Sequence, residues 1–176
     1  MTQIVYDGKT LIVDRKVHVA NAENISYIRK LQIEEIGDIV YAWAFCGTLQ
    51  EVYEGNNAVR AMLGVEHRVE RSLLTDGAKT DGWSGVLVEV PRSKPSAHKV
   101  YYVNYEGQKL ELMQEQLVCE GAYHHAMDVA IRTNIQCGSP LATEQCIRLA
   151  VSKTHHAQWG EIFDKFVITE CEGVIC

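Results

Sequence analysis

The first fourteen residues constrain the fold of this chain more than any other stretch. Ile4–Tyr6 and Thr10–Val13 are runs of β-branched, aromatic and aliphatic residues, and Asp7-Gly8 lies between them. An Asp-Gly pair between two such runs is the strongest short-range signal for a β-hairpin, because glycine tolerates the positive φ of a tight turn. The sequence therefore predicts that the chain opens directly into a hairpin, with no leader before it.

Thr2 stands at the entrance to this hairpin, directly after Met1. Removal of Met1 would leave a hydroxyl and a free α-amino group on one residue. An amine close to a hydroxyl can act as its general base, and a threonine so placed is an activated nucleophile. Threonine is also a common second residue and chain termini are commonly loose, so Thr2 alone does not define a site.

Three features downstream add to Thr2. Asp14 closes the second predicted strand, Lys30 follows sixteen positions later, and Gly47-Thr48 ends an apolar run, Ile39–Cys46. This arrangement resembles the proteasome β-subunit family, and within it the HslV-type bacterial peptidases and small proteasome-like proteins of bacteria and phages. Those proteins are N-terminal-nucleophile (Ntn) hydrolases. The resemblance covers nearly the whole chain and is strongest in residues 2–14.

The resemblance implies a role for each of these residues. Thr2 would be the nucleophile, Asp14 the acid that orients Lys30, and Lys30 the cation that lowers the pKa of the hydroxyl and the amine. Gly47 would donate its backbone N–H to the oxyanion, a contribution often worth about 3 kcal/mol. From the residues alone, Asp14 and Lys30 also fit an ordinary ion pair or solvated charges, and Gly47 fits a turn glycine.

The match to the family pattern is ambiguous at one position and departs from the pattern at another. Matching Ile-Arg-x-Leu at residues 28–31 would place Tyr27 at the lysine position, whereas the spacing from Asp14 favours Lys30. Cys119-Glu120-Gly121 stands where the family usually has Gly-Ser-Gly, so Glu120 replaces a serine that supports the amine of the nucleophile. Tyr27 and Glu120 are therefore candidates for supporting positions around the site, and Glu120 fits a salt bridge to that amine.

Hydrophobic runs and turn signals predict the remaining elements. Ile39–Phe45 is an unbroken apolar run, typical of a strand covered on both faces. Thr48 and Glu51 form a capping box, which predicts a helix to Leu63 that ends at Gly64. The other predicted elements are strands within 15–38, Ser84–Val90, His98–Tyr105, Lys109–Met113, Phe166–Thr169 and Gly173–Cys176, and helices Ala122–Ile135 and Leu141–His155.

This order of elements suits an α+β fold with two antiparallel sheets stacked face to face and helices outside. The family resemblance implies the four-layer αββα Ntn-hydrolase sandwich, with two antiparallel sheets between helix layers. A chain of 176 residues fits one domain, residues 1–176. Small residues at helical spacing predict the face by which the second helix packs against a neighbour: Ala122, Ala126, Val129, Ala130 and Thr133.

Composition excludes several classes of protein. A net charge of −6 argues against a general nucleic-acid surface, and no apolar run approaches the length that spans a bilayer. Six cysteines without a C-x-x-C pair, and no secretory signal, predict reduced thiols in a cytoplasmic protein. Neighbouring histidines on a helix diverge by about 100°, so His124-His125 and His155-His156 predict no metal site, and no cofactor is expected.

The function implied by the resemblance is that of a threonine-type peptidase in a homo-oligomeric assembly. Its substrates would be peptides or unfolded proteins, and an ATP-dependent unfoldase could supply them. The alternative is a catalytically inactive scaffold or binding protein on the same fold. A third hypothesis is a small-amide hydrolase of the same superfamily. The state of Met1 separates the first two, because a retained Met1 leaves Thr2 without its amine base.

Overall fold

Two antiparallel sheets and three helices make up most of the computed structural model, which describes residues 2–18, 25–65, 82–121, 123–139, 141–152 and 163–171. The strands are β1 Ile4–Tyr6, β2 Thr10–Asp14, β3 Lys16–His18, β4 Ile25–Tyr27, β5 Gln32–Ile36, β6 Ile39–Cys46, β7 Ser84–Pro91, β8 Lys99–Asn104, β9 Lys109–Leu112, β10 Val118–Glu120 and β11 Phe163–Val167. The helices are α1 Leu49–Leu63, α2 His124–Gln136 and α3 Thr143–Ser152, with 3₁₀ turns at Pro95–Ala97 and Ile168–Cys171.

The predicted opening hairpin is confirmed and forms the centre of the first sheet. β1 and β2 pair antiparallel, with Ile4 opposite Val13. Asp7 Oδ1 accepts the backbone N–H groups of Lys9 and Thr10 at 3.0 and 2.8 Å, and Gly8 has a φ of +90°. β10 pairs with β1 and β11 with β2, which gives the order β10-β1-β2-β11.

The second sheet has the order β5-β6-β7-β8-β9, and β3 pairs with β4 in a separate two-stranded sheet. β6 is buried on both faces, as its unbroken apolar run predicted. Ala42 and Ala44 belong to the core between the two large sheets, whereas Trp43 and Phe45 belong to the core beneath α1. One strand therefore contributes to two hydrophobic layers.

Three hydrophobic clusters define the layering. The cluster between the sheets joins β1 and β2 to β6, β7 and β8, and the cluster beneath α1 covers the outer face of the second sheet. On the far side, Val5 and Ile12 of the first sheet pack against residues of α2 and α3: Met127, Ile131, Cys146 and Ile147. The predicted αββα sandwich is confirmed.

Helix α1 begins and ends where its sequence signals predicted. Thr48 Oγ1 accepts the N–H of Glu51 at 3.3 Å, and the Glu51 carboxylate accepts the N–H of Thr48 at 2.5 Å. At the other end Gly64 adopts the left-handed conformation, with a φ of +70°, and caps the helix. The capping box thus fixes the direction in which the chain leaves β6.

The packing face predicted for α2 is wrong in part. Ala130 does pack against the cluster on the far side of the first sheet. Val129 is 63% exposed and Thr133 is exposed, while Met127 and Ile131 are buried at 0% and 2% exposure. The long apolar side chains four residues apart bury more area than the small residues, so they decide which face meets the sheet. Among the helices in the described ranges, none is long and apolar enough to cross a bilayer.

The C-terminal predictions are only partly covered by the structure. β11 begins at Phe163, earlier than predicted, and the chain then turns into a 3₁₀ segment at Ile168–Cys171. The predicted strand Gly173–Cys176 and the last residues of the helix predicted to reach His155 lie outside the described residues.

The close approach of α1 to the sheet predicts a steric cost at Gly55. A Cβ atom at this position would lie 2.7 Å from Cδ2 of Phe45, inside contact distance. We expect Gly55→Ala to lower the free energy of unfolding by about 1–2 kcal/mol in urea denaturation, because overpacking outweighs the gain in helix propensity. Glu54→Ala, at an exposed position on the same helix, should change it by less than about 0.5 kcal/mol. Equal effects of the two substitutions would contradict the steric argument.

Candidate active site

A buried ion pair lies at the end of the opening hairpin. Lys30 Nζ donates to Oδ1 and Oδ2 of Asp14 at 3.0 and 3.1 Å, and each side chain is 4% exposed. Asp14 is the last residue of β2, and Lys30 precedes β5 by two residues. Charges this deeply buried must be compensated by close, well-oriented partners, so the two elements are fixed relative to one another.

The same carboxylate holds the backbone directly after Thr2. The N–H of Gln3 donates to Asp14 Oδ1 at 2.7 Å, and the N–H of Asp14 donates to the carbonyl of Gln3 at 3.2 Å. Burial raises the pKa of Asp14, while Lys30 and the Gln3 N–H act in the opposite direction. The Lys30 ammonium is therefore connected through the Asp14 carboxylate to the peptide that follows Thr2. Thr2 itself is only 2% exposed.

Gly47 lies directly after the end of β6, against the start of α1. Its φ is +153°, and a Cβ atom there would lie 2.9 Å from Cβ and Oε2 of Glu51. Glu51 is 2% exposed, and its carboxylate also accepts the N–H of Gly82 at 2.9 Å. The buried carboxylate thus holds the loop that carries Gly47, and the position suits a residue without a side chain.

Thr2 is contacted from two further strands. Cys46 Sγ donates to the carbonyl oxygen of Thr2 at 3.3 Å. From the other side, a Cβ atom on Gly121 would lie 2.2 Å from the same oxygen, so β10 ends directly against Thr2. The contact with Cys46 was missed by the sequence analysis, and its only sequence signal is that Cys46 directly precedes Gly47.

Glu120 lies opposite Ile4 in the pairing of β10 with β1. Ser84 Oγ donates to Glu120 Oε2 at 3.5 Å. Burial raises the pKa of Glu120, and the opposing influences are His124 and the hydrogen bond from Ser84. A half-buried carboxylate with a raised pKa therefore stands beside the Thr2 segment, where the resemblance implies a serine.

The predicted site residues come together in part. Asp14 accepts the Gln3 N–H and is bound by Lys30. Gly47 and Glu120 directly adjoin Cys46 and Gly121, the residues that lie against the Thr2 carbonyl. Tyr27 lies in β4, paired with Lys16. Asp14 is held by the side chain of Lys30, the residue that the spacing favoured, whereas the position of the Tyr27 side chain lies outside what the structure describes.

A cavity of ≈ 240 Å³ opens beside Lys30. One wall is the segment before β5 and the other is the first three turns of α1, so the lining mixes apolar side chains with amides and arginines. The lining residues are Ile28, Arg29, Lys30, Gln32, Leu49, Val52, Tyr53, Asn56, Asn57 and Arg60. The cavity can accept a side chain next to the buried ion pair.

In the described parts of the chain, no group of three or more His, Cys, Asp or Glu side chains is arranged to hold a metal ion. The rings of His124 and His125 lie 3.9 Å apart between centroids, and both residues are exposed. His155 and His156 lie outside the described residues.

Comparison with solved structures finds proteins of the same fold. Anbu from Hyphomicrobium sp. strain MC1 matches with a TM-score of 0.63 at 12% identity, covering 95% of this chain and 81% of that chain. The helical assembly of the Anbu complex from Pseudomonas aeruginosa matches with a TM-score of 0.61 at 12% identity, covering 95% and 80%. Thiobacillus denitrificans BPH in complex with epoxomicin gives 0.51 at 15% identity, covering 94% and 96%. No family model and no curated protein matches the sequence.

The chain therefore has the fold of the proteasome-like Ntn hydrolases, as the resemblance predicted. The particular proteins it is similar to include Anbu, described for Yersinia bercovieri as an ancestral β-subunit. At 12–15% identity these matches establish the shared fold, and the chemistry must be argued from the residues of this chain.

The buried ion pair predicts an asymmetric response to substitution. We expect Lys30→Met to lower the free energy of unfolding by about 3–5 kcal/mol, because it leaves the Asp14 carboxylate buried without its cation. The double variant Asp14→Asn/Lys30→Met should be more stable than Lys30→Met, since its amide oxygen can still accept the Gln3 N–H and no unpaired charge remains. Urea denaturation measures both. A double variant no more stable than Lys30→Met would contradict the role assigned to the pair.

The raised pKa of Glu120 predicts a pH dependence of stability. Between the ordinary value of 4.5 and the raised value, the folded state binds more protons than the unfolded state, so this group makes the chain less stable as pH rises through that window. We expect Glu120→Gln to remove this loss. The Tm of the variant minus the Tm of the wild type should therefore increase as pH rises from below 4.5. Glu54→Gln, at an exposed position, serves as the control. A Tm difference independent of pH would rule out a shifted Glu120.

Proposed function

We propose that this chain is a threonine-type peptidase in which Thr2 is the nucleophile once Met1 has been removed. The observation that carries the proposal is the buried Asp14–Lys30 pair joined to the peptide after Thr2, with Lys30 Nζ 3.0 Å from Asp14 Oδ1 and the Gln3 N 2.7 Å from the same atom. The proteasome-like fold supports it as well.

The residues around Thr2 suit both steps of amide hydrolysis, the formation of an ester on Thr2 and the hydrolysis of that ester. The α-amine takes the proton of the Thr2 hydroxyl as Oγ1 attacks the substrate carbonyl, and the Lys30 cation, held by Asp14, favours the alkoxide. The Gly47 N–H stabilises the oxyanion, after which the protonated amine gives its proton to the leaving amine. Water then attacks the ester on Thr2 with the amine again as base, which releases the acid and restores the hydroxyl.

The substrate class in this proposal is a peptide or an unfolded protein, with one side chain in the cavity beside Lys30. BPH from Thiobacillus denitrificans binds epoxomicin, and the Anbu complex of Pseudomonas aeruginosa forms a helical assembly. By analogy we propose a homo-oligomeric assembly for this chain, acting as a single domain. An ATP-dependent unfoldase partner and a cytoplasmic location remain predictions from the sequence.

A second candidate is a scaffold or binding protein on the same fold without catalytic activity. Two observations favour it: Thr2 is only 2% exposed, and the half-buried carboxylate of Glu120 stands where the family has a serine. In this case Met1 stays in place and the buried ion pair serves the stability of the fold. The two candidates differ in the chemical state of the N-terminus.

Mass spectrometry of protein purified from its natural host, before and after treatment with a peptide epoxyketone, tests the choice. We expect loss of Met1 and one adduct on Thr2. Thr2→Ala should abolish the adduct and lower peptidase kcat/KM about a thousandfold or more, whereas Thr2→Ser should keep both because it retains a hydroxyl beside the amine. Thr133→Ala, at an exposed position on α2, is the control. A retained Met1 with no adduct on the wild type would reject the peptidase and favour the scaffold.

A further inference from the structure

The carbonyl oxygen of Thr2 has an unusual neighbour. Cys46 Sγ lies 3.3 Å from it, in position for the thiol to donate a hydrogen bond. Cys46 is the last residue of β6 and directly precedes Gly47. The thiol therefore connects the segment that carries the proposed oxyanion donor to the residue that carries the proposed nucleophile.

The other end of the same peptide is also held. The N–H of Gln3 donates to Asp14 Oδ1 at 2.7 Å, so the peptide between Thr2 and Gln3 is bonded at its carbonyl and at its amide. Gly121 closes a third side, because a Cβ atom there would lie 2.2 Å from the Thr2 carbonyl oxygen. Segments from three different strands converge on this one peptide.

We propose that Cys46 is a positioning residue for Thr2, acting through a hydrogen bond from its thiol to the Thr2 carbonyl oxygen. With the following peptide fixed at both ends, the hydroxyl and the amine of Thr2 are placed by rotations within Thr2 itself. This role rests on the proposed peptidase function and adds to it a residue that the sequence pattern did not mark.

The state of the thiol fits a donor. Burial raises the pKa of Cys46, and the nearby carboxylates of Glu120 and Asp14 act in the same direction, against Lys30. The sulfur therefore keeps its proton at neutral pH and is not a competing nucleophile, since the thiolate is the reactive form. A protonated thiol is a weak donor that suits a single backbone acceptor.

Infrared spectroscopy of the S–H stretch tests the contact without any need for catalysis. The band that disappears in Cys46→Ala is the band of Cys46, and the band that disappears in Cys146→Ala is that of a thiol buried in the apolar cluster of α2 and α3. We expect the Cys46 band at lower frequency than the Cys146 band, because donation to a carbonyl oxygen weakens the S–H bond. Equal frequencies would overturn the proposal.

Kinetics test the consequence of the contact. We expect Cys46→Ala to lower kcat about two- to tenfold at unchanged KM, the effect of losing one ordinary hydrogen bond, and Cys46→Ser to restore most of it because the hydroxyl can donate in its place. Cys146→Ala removes a buried thiol of α3 that packs on the far side of the first sheet, so it should affect the Tm without affecting kcat. This control separates positioning from a general loss of packing.

The outcomes distinguish the inference from the function on which it rests. An active wild type with equal kcat in Cys46→Ala, or with no recovery in Cys46→Ser, overturns the role of Cys46 and leaves the peptidase standing. A wild type that shows neither peptidase activity nor an adduct on Thr2 overturns the proposed function and the positioning role with it. The infrared bands then still report whether Cys46 contacts the carbonyl.

Discussion

The Asp14 carboxylate is the group on which the arrangement around Thr2 depends. It is almost fully buried, and a carboxylate in such a place must be surrounded by donors. Lys30 supplies a cation and Gln3 a backbone N–H, so the end of β2, the start of the chain and the segment before β5 have to meet at one point. Removing any one of these partners would leave charge or polarity uncompensated in the protein interior.

The second sheet supplies the remaining geometry. β6 is buried on both faces, so it cannot shift without disturbing two hydrophobic clusters. Its last residue, Cys46, contacts Thr2, and Gly47 follows directly. The capping carboxylate of Glu51 then holds the turn into α1. Rigid elements thus position the short segments around Thr2. Functional sites need such support because their side chains must be held at defined distances.

The sequence predicted those features that depend on local chemistry. The opening hairpin followed from Asp7-Gly8, and α1 followed from Thr48, Glu51 and Gly64, because turns and caps are set by a few neighbouring residues. The layering came from the family resemblance and the order of elements. The packing face of α2 was predicted only in part and the contact of Cys46 with Thr2 not at all, because tertiary packing decides both. Met127 and Ile131 are buried beside Ala130 on α2, and Cys46 contacts Thr2 across 44 positions of sequence.

Gly121 has a consequence for how such a site can change over evolutionary time. Its bare α-carbon touches the Thr2 carbonyl so closely that even a methyl group has no room, and its φ of +111° already disfavours other residues. Even the smallest substitution, Gly121→Ala, would clash with the Thr2 carbonyl, so no series of small substitutions can change this position. Diversification on this side of Thr2 is therefore left to the preceding position, where this chain carries the acidic side chain of Glu120.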